Sequence, residues 1–305
     1  MGEGKTYARA ALAGNPSDAY GGATLAVVVP DFFAEAEATT LADGSETRVT
    51  PASELVMAAA GRFERELAPG APPASVRWST SIPRAVGLGG SSAIVIATVR
   101  ALCALHGVQL TPDELASFAL AVETEDLGIA AGLQDRVAQA YGGLTFMDFR
   151  HGIYEPLPAA LLPPLFVAWD EGSAGHSGLT HGDLRARFDR GERVVMAAMT
   201  RLGELARSAR SALLDGDAEV FGRCMAASFE ARREMLTLDA RHVAMVELAR
   251  EHGACANYTG SGGAIVGCCR DEEHLADVIT AFAAAGHGTV APVLASAPLR
   301  QPQRD

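Results

Sequence analysis

No apolar stretch in the sequence is long enough to cross a bilayer, and the opening residues MGEGKTYARA carry no hydrophobic core of a secretion signal. A cytoplasmic protein without a membrane partner is the expectation. Cysteine is scarce: Cys103, Cys224, Cys255, Cys268 and Cys269 are odd in number, and none stands at C-x-x-C spacing. This argues against a disulfide framework or a zinc site and reads the five as small apolar residues of a reduced protein. Positive charge is short as well, with 25 Lys and Arg against 37 Asp and Glu and a net charge of −12. General affinity for nucleic acid or anionic lipid is thereby disfavoured. The Walker pattern G-x-x-x-x-G-K-[ST] is absent, the glycine-rich stretch PRAVGLGGSSA lacks the Rossmann spacing, and no internal repeat or low-complexity segment stands out.

What is present is a chain of 305 residues, 49% hydrophobic and with 32 glycines, large enough for two lobes or one large domain. Strand-like runs dominate its first half: ATLAVVV, short strands through the forties, SVRWSTSI, the hairpin pattern GLTFMDFRHGIYEPL, and PPLFVAWD. Two helices interrupt them, SELVMAAAGRFEREL with a serine start and TPDELASFALAVETED with Thr111 as cap and Pro112 at the first position. From about Leu184 to Glu251 the periodicity is helical, followed by ACANYTGSGGAIVGCC, a helix from Asp271 and a closing strand GTVAPV. Strands first and helices later predict an α+β protein with a boundary near residues 160–190.

The stretch PRAVGLGGSSA joins the strand ending at Pro83 to a long apolar helix. Glycines let the backbone turn with positive φ, and a helix start offers unpaired N–H groups and a positive dipole end. Together these suit a phosphate. An ordinary N-cap by Ser91 or Ser92 is the competing reading.

Pro83, Gly87, Leu88, Gly89, Ser91 and Ala93 resemble the second motif of the GHMP kinases, ATP-dependent kinases of small metabolites. ARAALAGNPSDAYGG resembles their first motif and NYTGSGGAIVG their third, in family order along nearly the whole chain. Within that family GNPSD-x-Y, GLQDRV-x-Q-x-YGGL-x-x-MDF and TGSGGA are most similar to the glucuronokinases.

The resemblance implies a two-lobed GHMP fold: an N-terminal mixed α/β ATP-binding lobe over 1–175 and a C-terminal ferredoxin-like α+β lobe over 176–305. It implies ATP and Mg2+ as cofactors, and a small sugar, glucuronate converted to glucuronate 1-phosphate, as substrate. A different sugar or a mevalonate-like acceptor is the alternative, and a silent GHMP-fold binding protein a third. A monomer or homodimer is expected. By the same resemblance Gly87, Gly89 and Gly90 wrap phosphate, with Ser92 beside them, and Ser91 and Glu123 hold the metal. Glu123, Glu125 and Asp126 can also be read as a solvated helix end. Asp135 matches the catalytic base and Arg9 the basic residue close to it; a salt bridge from Asp135 to Arg136 and a surface arginine are the plainer readings. Asn15, Asp18, Tyr20, His176, His181, Gly260, Ser261 and Gly262 fall in the substrate-contacting segments. The loop after Trp169 has Gly175 near the place of an expected lysine, leaving Arg185, Arg187, His176 or His181 to meet a carboxylate. Trp78 could flank adenine or simply pack.

Overall fold

The computed structural model describes residues 1–42, 45–170, 172 and 177–294. The chain forms two compact units that interleave along the sequence. One comprises Met1–Ala8, Phe32–Ile82 and Gly89–Ala140; the other comprises Arg9–Asp31, Pro83–Leu88 and the segment from Tyr141 onward.

Strands β1 (Gly2–Ala13) and β2 (Ala23–Thr40) pair with each other, and β2 runs through what the sequence suggested were separate short strands. In the first unit, Ala34–Thr40 of β2 pairs antiparallel with β4 (Ala74–Thr80), which pairs parallel with β3 (Arg48–Thr50). Helix α1 (Glu54–Glu66) starts on Ser53, whose side chain accepts the Val56 N–H. Helix α2 (Gly90–His106) is apolar nearly all round and is correspondingly buried. The glycines of GEGK let β1 lie against it: a Cβ at Gly4 would stand 2.0 Å from the Ala97 carbonyl oxygen.

Helix α3 (Pro112–Ala121) carries a full capping box between Thr111 and Glu114, as its first residues predict. It runs into a π-helical turn, Val122–Asp126, and the next helix is α4 (Gln134–Tyr141). The Arg100 guanidinium, buried on α2, donates to the Lys5, Gln139 and Ala140 carbonyls and so ties β1, α2 and α4 together.

In the second unit, Ala23–Val27 of β2 pairs antiparallel with β5 (Leu144–Asp148), which forms the expected hairpin with β6 (Ile153–Leu157). A separate four-stranded antiparallel sheet has the order β10-β7-β9-β8, from β7 (Leu165–Trp169), β8 (Cys255–Tyr258), β9 (Ala264–Cys268) and β10 (Gly288–Val290). Helices α5 (Ser177–Asp189), α6 (Arg193–Leu214), α7 (Ala218–Met235) and α8 (Ala240–Glu251) separate β7 from β8, and α9 (Glu272–Ala284) separates β9 from β10. The succession is β-α-β-β-α-β, the ferredoxin-like order, with extra helices in the first crossover. Phe166, Phe229, Tyr258, Ile265, Val278 and Phe282 fill its core. The expected α+β class with two sheets is what forms.

Candidate active site

The stretch PRAVGLGGSSA forms a turn that alternates into left-handed backbone at Ala85 (φ 58°), Gly87 (φ 76°) and Gly89 (φ 72°). Such alternation turns successive N–H groups toward a common concavity. Gly89 is itself the N-cap of α2, and no side chain caps that helix. Side chains cap α1, α3, α7, α8 and α9, whereas α6, like α2, has no side-chain cap. The capping role available to Ser91 or Ser92 in the sequence is therefore not taken up. Ser92 is buried and its hydroxyl donates back to the Gly89 carbonyl at 3.1 Å, whereas Ser91 is exposed. The first N–H groups of α2 are left without a side-chain cap, and the positive end of a long helix stands behind them. Leu88 and Ala93 are buried and anchor the turn, so they can meet a ligand through backbone only.

Arg9 on β1 is 4% exposed, and its Nη1 donates to the Gly87 carbonyl at 2.6 Å and the Thr259 carbonyl at 2.7 Å. Its own N–H donates to the Leu88 carbonyl at 3.0 Å. Thr259 Oγ1 donates to Gly87 as well. A Cβ at Gly260 would stand 2.5 Å from the Gly87 oxygen and 3.0 Å from Arg9 Nη2, so only glycine allows this approach. A Cβ at Gly87 would likewise reach within 2.9 Å of the Gly262 carbonyl oxygen and 3.1 Å of the Ser261 nitrogen. Three stretches far apart in sequence thus meet at Gly87. Within the first unit, Gln139 of α4 donates to the Tyr7 and Gly89 carbonyls at 3.0 and 2.9 Å.

The acidic run after α3 divides in two. Glu125 and Asp126 pair with Arg62, and Asp126 also with Arg65, as solvated residues do. Glu123 is fully buried. Its Oε2 accepts from Arg136 Nε at 2.8 Å and from Nη2, while its Oε1 is buried with no hydrogen-bond partner among the described residues. Arg136 is therefore committed to Glu123, and its contact with Asp135 is a loose 3.9 Å. Asp135 stands at the first turn of α4 with its carboxylate partly exposed.

The substrate segments are placed unevenly. Asn15 is buried, and its Oδ1 accepts from Arg232 Nη1 at 2.6 Å. Tyr20 packs on Phe188 with ring centroids 4.5 Å apart, and Arg185 lies 5.8 Å from its ring centre. Asp18, between them in sequence, acts electrostatically on both Tyr20 and Arg232. His176 lies outside the described residues, and His181 falls within α5. Arg187 is spoken for by Glu192 through two hydrogen bonds and by the Met235 carbonyl, which removes it as a ready partner for a substrate carboxylate. Trp78 is half-buried, and its indole N–H donates to the Pro51 carbonyl at 2.8 Å.

Two residues that the sequence did not single out complete the arrangement. Arg232, 2% exposed, bridges Asn15 to the Gly260 carbonyl (2.7 Å) and lies 5.3 Å from the centre of the Tyr258 ring. Burial draws its pKa down to about 10. A legible signal existed: Met225, Ser228, Phe229 and Arg232 share the buried stripe of α7, so an arginine sits on an apolar face.

His242 of α8 is the second, its Nδ1 accepting the Gly263 N–H at 3.2 Å. Burial depresses its pKa, and Arg241 adds to that, while Asp239 and Asp170 oppose it. The folded protein then holds the proton less readily than the unfolded chain, so stability rises with pH. This contribution is intact above the ordinary value of 6.5 and is lost as pH falls toward the lowered folded value. The melting temperature of the wild type should fall more steeply on acidification from about pH 7 to 5 than that of His242→Gln. Parallel melting curves for the two would remove His242 as a support of the turn.

A glycine turn leading into a helix without a side-chain cap, with buried arginines holding the Gly87, Thr259 and Gly260 carbonyls, offers the kind of N–H cluster that suits a phosphate. The signature of the GHMP kinases N terminal domain matches residues 54–143. Glucuronokinase 1 of Arabidopsis thaliana is 35% identical over 311 aligned positions, covering 88% of this chain and 84% of that protein. A mevalonate kinase of Thermococcus sibiricus is 30% identical over 70% of this chain and 64% of its own. Among solved structures, a Lactococcus lactis galactokinase complexed with galactose superposes with a TM-score of 0.81, at 14% identity over 97% of this chain and 94% of that one. The chain belongs to the GHMP kinases, and is a phosphotransferase with an alcohol group as acceptor.

Proposed function

We propose that the protein transfers the γ-phosphoryl group of ATP to a sugar hydroxyl, with glucuronate as acceptor and glucuronate 1-phosphate as product. Similarity to two glucuronokinases over 84% of their length supports this choice over the mevalonate kinases, of which less is covered. The observation that carries the kinase chemistry is the uncapped start of α2 behind the alternating turn at Ala85, Gly87 and Gly89. Phosphoryl transfer asks a protein mainly for positioning and charge stabilisation, and such a cradle supplies both.

In this reading the N–H groups of Gly89, Gly90 and Ser91 hold phosphate oxygens. Asp135 accepts or orients the acceptor hydroxyl, and Arg9 fixes the carbonyls of the turn. Ser91 and Glu123 fit a magnesium ion: the one offers an exposed hydroxyl, the other a carboxylate oxygen with no protein partner among the described residues. The ion would neutralise charge on the β- and γ-phosphates. The ATP-binding lobe draws mainly on residues 1–175 and the second lobe on 176–305, with β7 (Leu165–Trp169) of the first span contributing to the sheet of the second, in a cytoplasmic monomer or homodimer whose partners are small molecules. No described helix is long and apolar enough to cross a membrane.

A uronate brings a carboxylate that needs a cation, since an unpaired buried charge is costly. Lys5 is the only lysine in the sequence, so that cation is an arginine or a histidine. Arg185, exposed on α5 and beside Tyr20, is the candidate with only Asp189 as its ionic partner among the described residues. ADP release should be fastest with glucuronate in a screen that includes glucose, galactose and mevalonate. Equal or better turnover on glucose would replace the uronate reading by a neutral-sugar kinase.

A further inference from the structure

Strands β8 and β9 pair in a register that sets Cys255 directly opposite Cys268. Directly opposed residues of an antiparallel pair have Cβ atoms about 4.5–5.5 Å apart, adjoining the range a disulfide needs. Both sulfurs lie under the same residue of α7: a Cβ at Gly222 would stand 3.0 Å from Cys255 Sγ and 3.3 Å from Cys268 Sγ. The absence of a side chain there gives the pair its room. Cys268 is buried, whereas Cys255 is half-buried at the end of the sheet. The Cys268 side chain, with Arg250 and Arg223 nearby, draws the Cys255 thiol below its ordinary value against the pull of burial. The neighbouring Cys255 side chain, and then burial, push Cys268 up. One thiol is thus the readier thiolate and the other a more deeply buried partner directly across the ladder, the division of labour of a reversible redox pair.

We propose that Cys255 and Cys268 are a peroxide-reactive dithiol that closes into a reversible cross-strand disulfide. The Cys255 thiolate attacks one oxygen of hydrogen peroxide, the O–O bond breaks, and the departing hydroxide takes up a proton to leave as water. Cys255 is then a sulfenic acid. The Cys268 sulfur attacks that sulfur, the S–O bond breaks, and the hydroxyl leaves as a second water with the Cys268 proton. Overall two thiols and one peroxide give one disulfide and two waters, the sulfurs losing the two electrons the peroxide gains. A dithiol reductant reverses the step by exchange. The bond closes the open end of the hairpin whose other end is the Thr259–Gly263 turn. In a reducing compartment such a bond is transient, as a sensing modification is.

Trypsin releases Glu251–Arg270 as a single peptide that contains Cys255, Cys268 and Cys269. After equimolar hydrogen peroxide and quenching by alkylation, this peptide from the full-length protein should lose two hydrogens and take up one alkyl group, at Cys269. Fragment ions from inside the Cys255–Cys268 loop should be missing, and dithiothreitol should restore all three alkylations. Cys269→Ser should behave as the wild type. Cys268→Ser should instead leave Cys255 as a sulfenic acid that dimedone traps. The wild-type fragment map decides the pairing even if that variant folds poorly. A bond between Cys268 and Cys269, a bond that persists in Cys268→Ser, or oxidation of Cys255 straight to the sulfinic acid would each overturn the proposal.

Discussion

Asp135→Asn should lower turnover on the correct acceptor by about 100-fold or more, the usual contribution of a positioned acid or base, while nucleotide affinity largely survives. Asparagine keeps the shape of the side chain and removes its charge and basicity. Two of the interactions that asparagine would change are weak. Arg136, the obvious ionic partner, is held by Glu123 and by the Gly132 carbonyl, and reaches Asp135 only at 3.9 Å. Asp135 also stands in the first turn of α4, where losing a negative charge costs about 0.3–1 kcal/mol of helix-dipole stabilisation. A folded variant with intact nucleotide binding and failed chemistry is therefore the expected result. Calorimetric nucleotide titration beside single-turnover kinetics checks both halves. A loose transition state that needs the aspartate only to orient the hydroxyl predicts the same loss. Near-wild-type turnover would place the active site elsewhere.

Most of the fold was legible because its signals are local. Thr111 with Pro112 and Glu114 announces the start of α3, and Asp271 that of α9, since a side-chain oxygen meeting the first N–H groups needs only neighbours in sequence. The β5–β6 hairpin and the helical stretch before β8 follow equally from periodicity. What was not legible depends on approach across long separations. The single long β2 looks like several strands because its exposure pattern changes from fully buried at Ala23–Val29 to alternating beyond Phe33.

The site divides along the same line. The glycine turn and its two companion motifs could be read as stretches of sequence, but not which arginine holds which carbonyl. Arg9 and Arg232 act through backbone oxygens of Gly87, Thr259 and Gly260, contacts that no residue type encodes at a distance. Arg136 shows the limit most clearly. Its sequence neighbour Asp135 is the natural partner on paper, yet α4 turns its guanidinium to Glu123. A buried carboxylate recruits the strongest available donor, and that demand overrides adjacency.

The Glu123–Arg136 pair carries the other large expectation, because it can be structural, metal-binding or both. Glu123→Gln removes the charge that compensates a buried guanidinium, and breaking a buried pair from one side costs about 3–5 kcal/mol. The variant should unfold at markedly lower denaturant and lose turnover, but the second loss is ambiguous because of the first. Replacing both partners by apolar residues of similar volume, Glu123→Leu with Arg136→Met, removes the uncompensated charge. Such exchanges are often neutral or stabilising, so stability should return to near the wild-type value. Turnover should not return, and nucleotide affinity should no longer respond to magnesium, because the Oε1 lone pairs left without a protein partner are gone. Equilibrium unfolding and nucleotide titration with and without magnesium separate the two roles on the same three proteins. Restoration of both stability and magnesium response in the double variant would make Glu123 a purely structural partner of Arg136, and the carboxylate that serves the metal would have to be sought on another element.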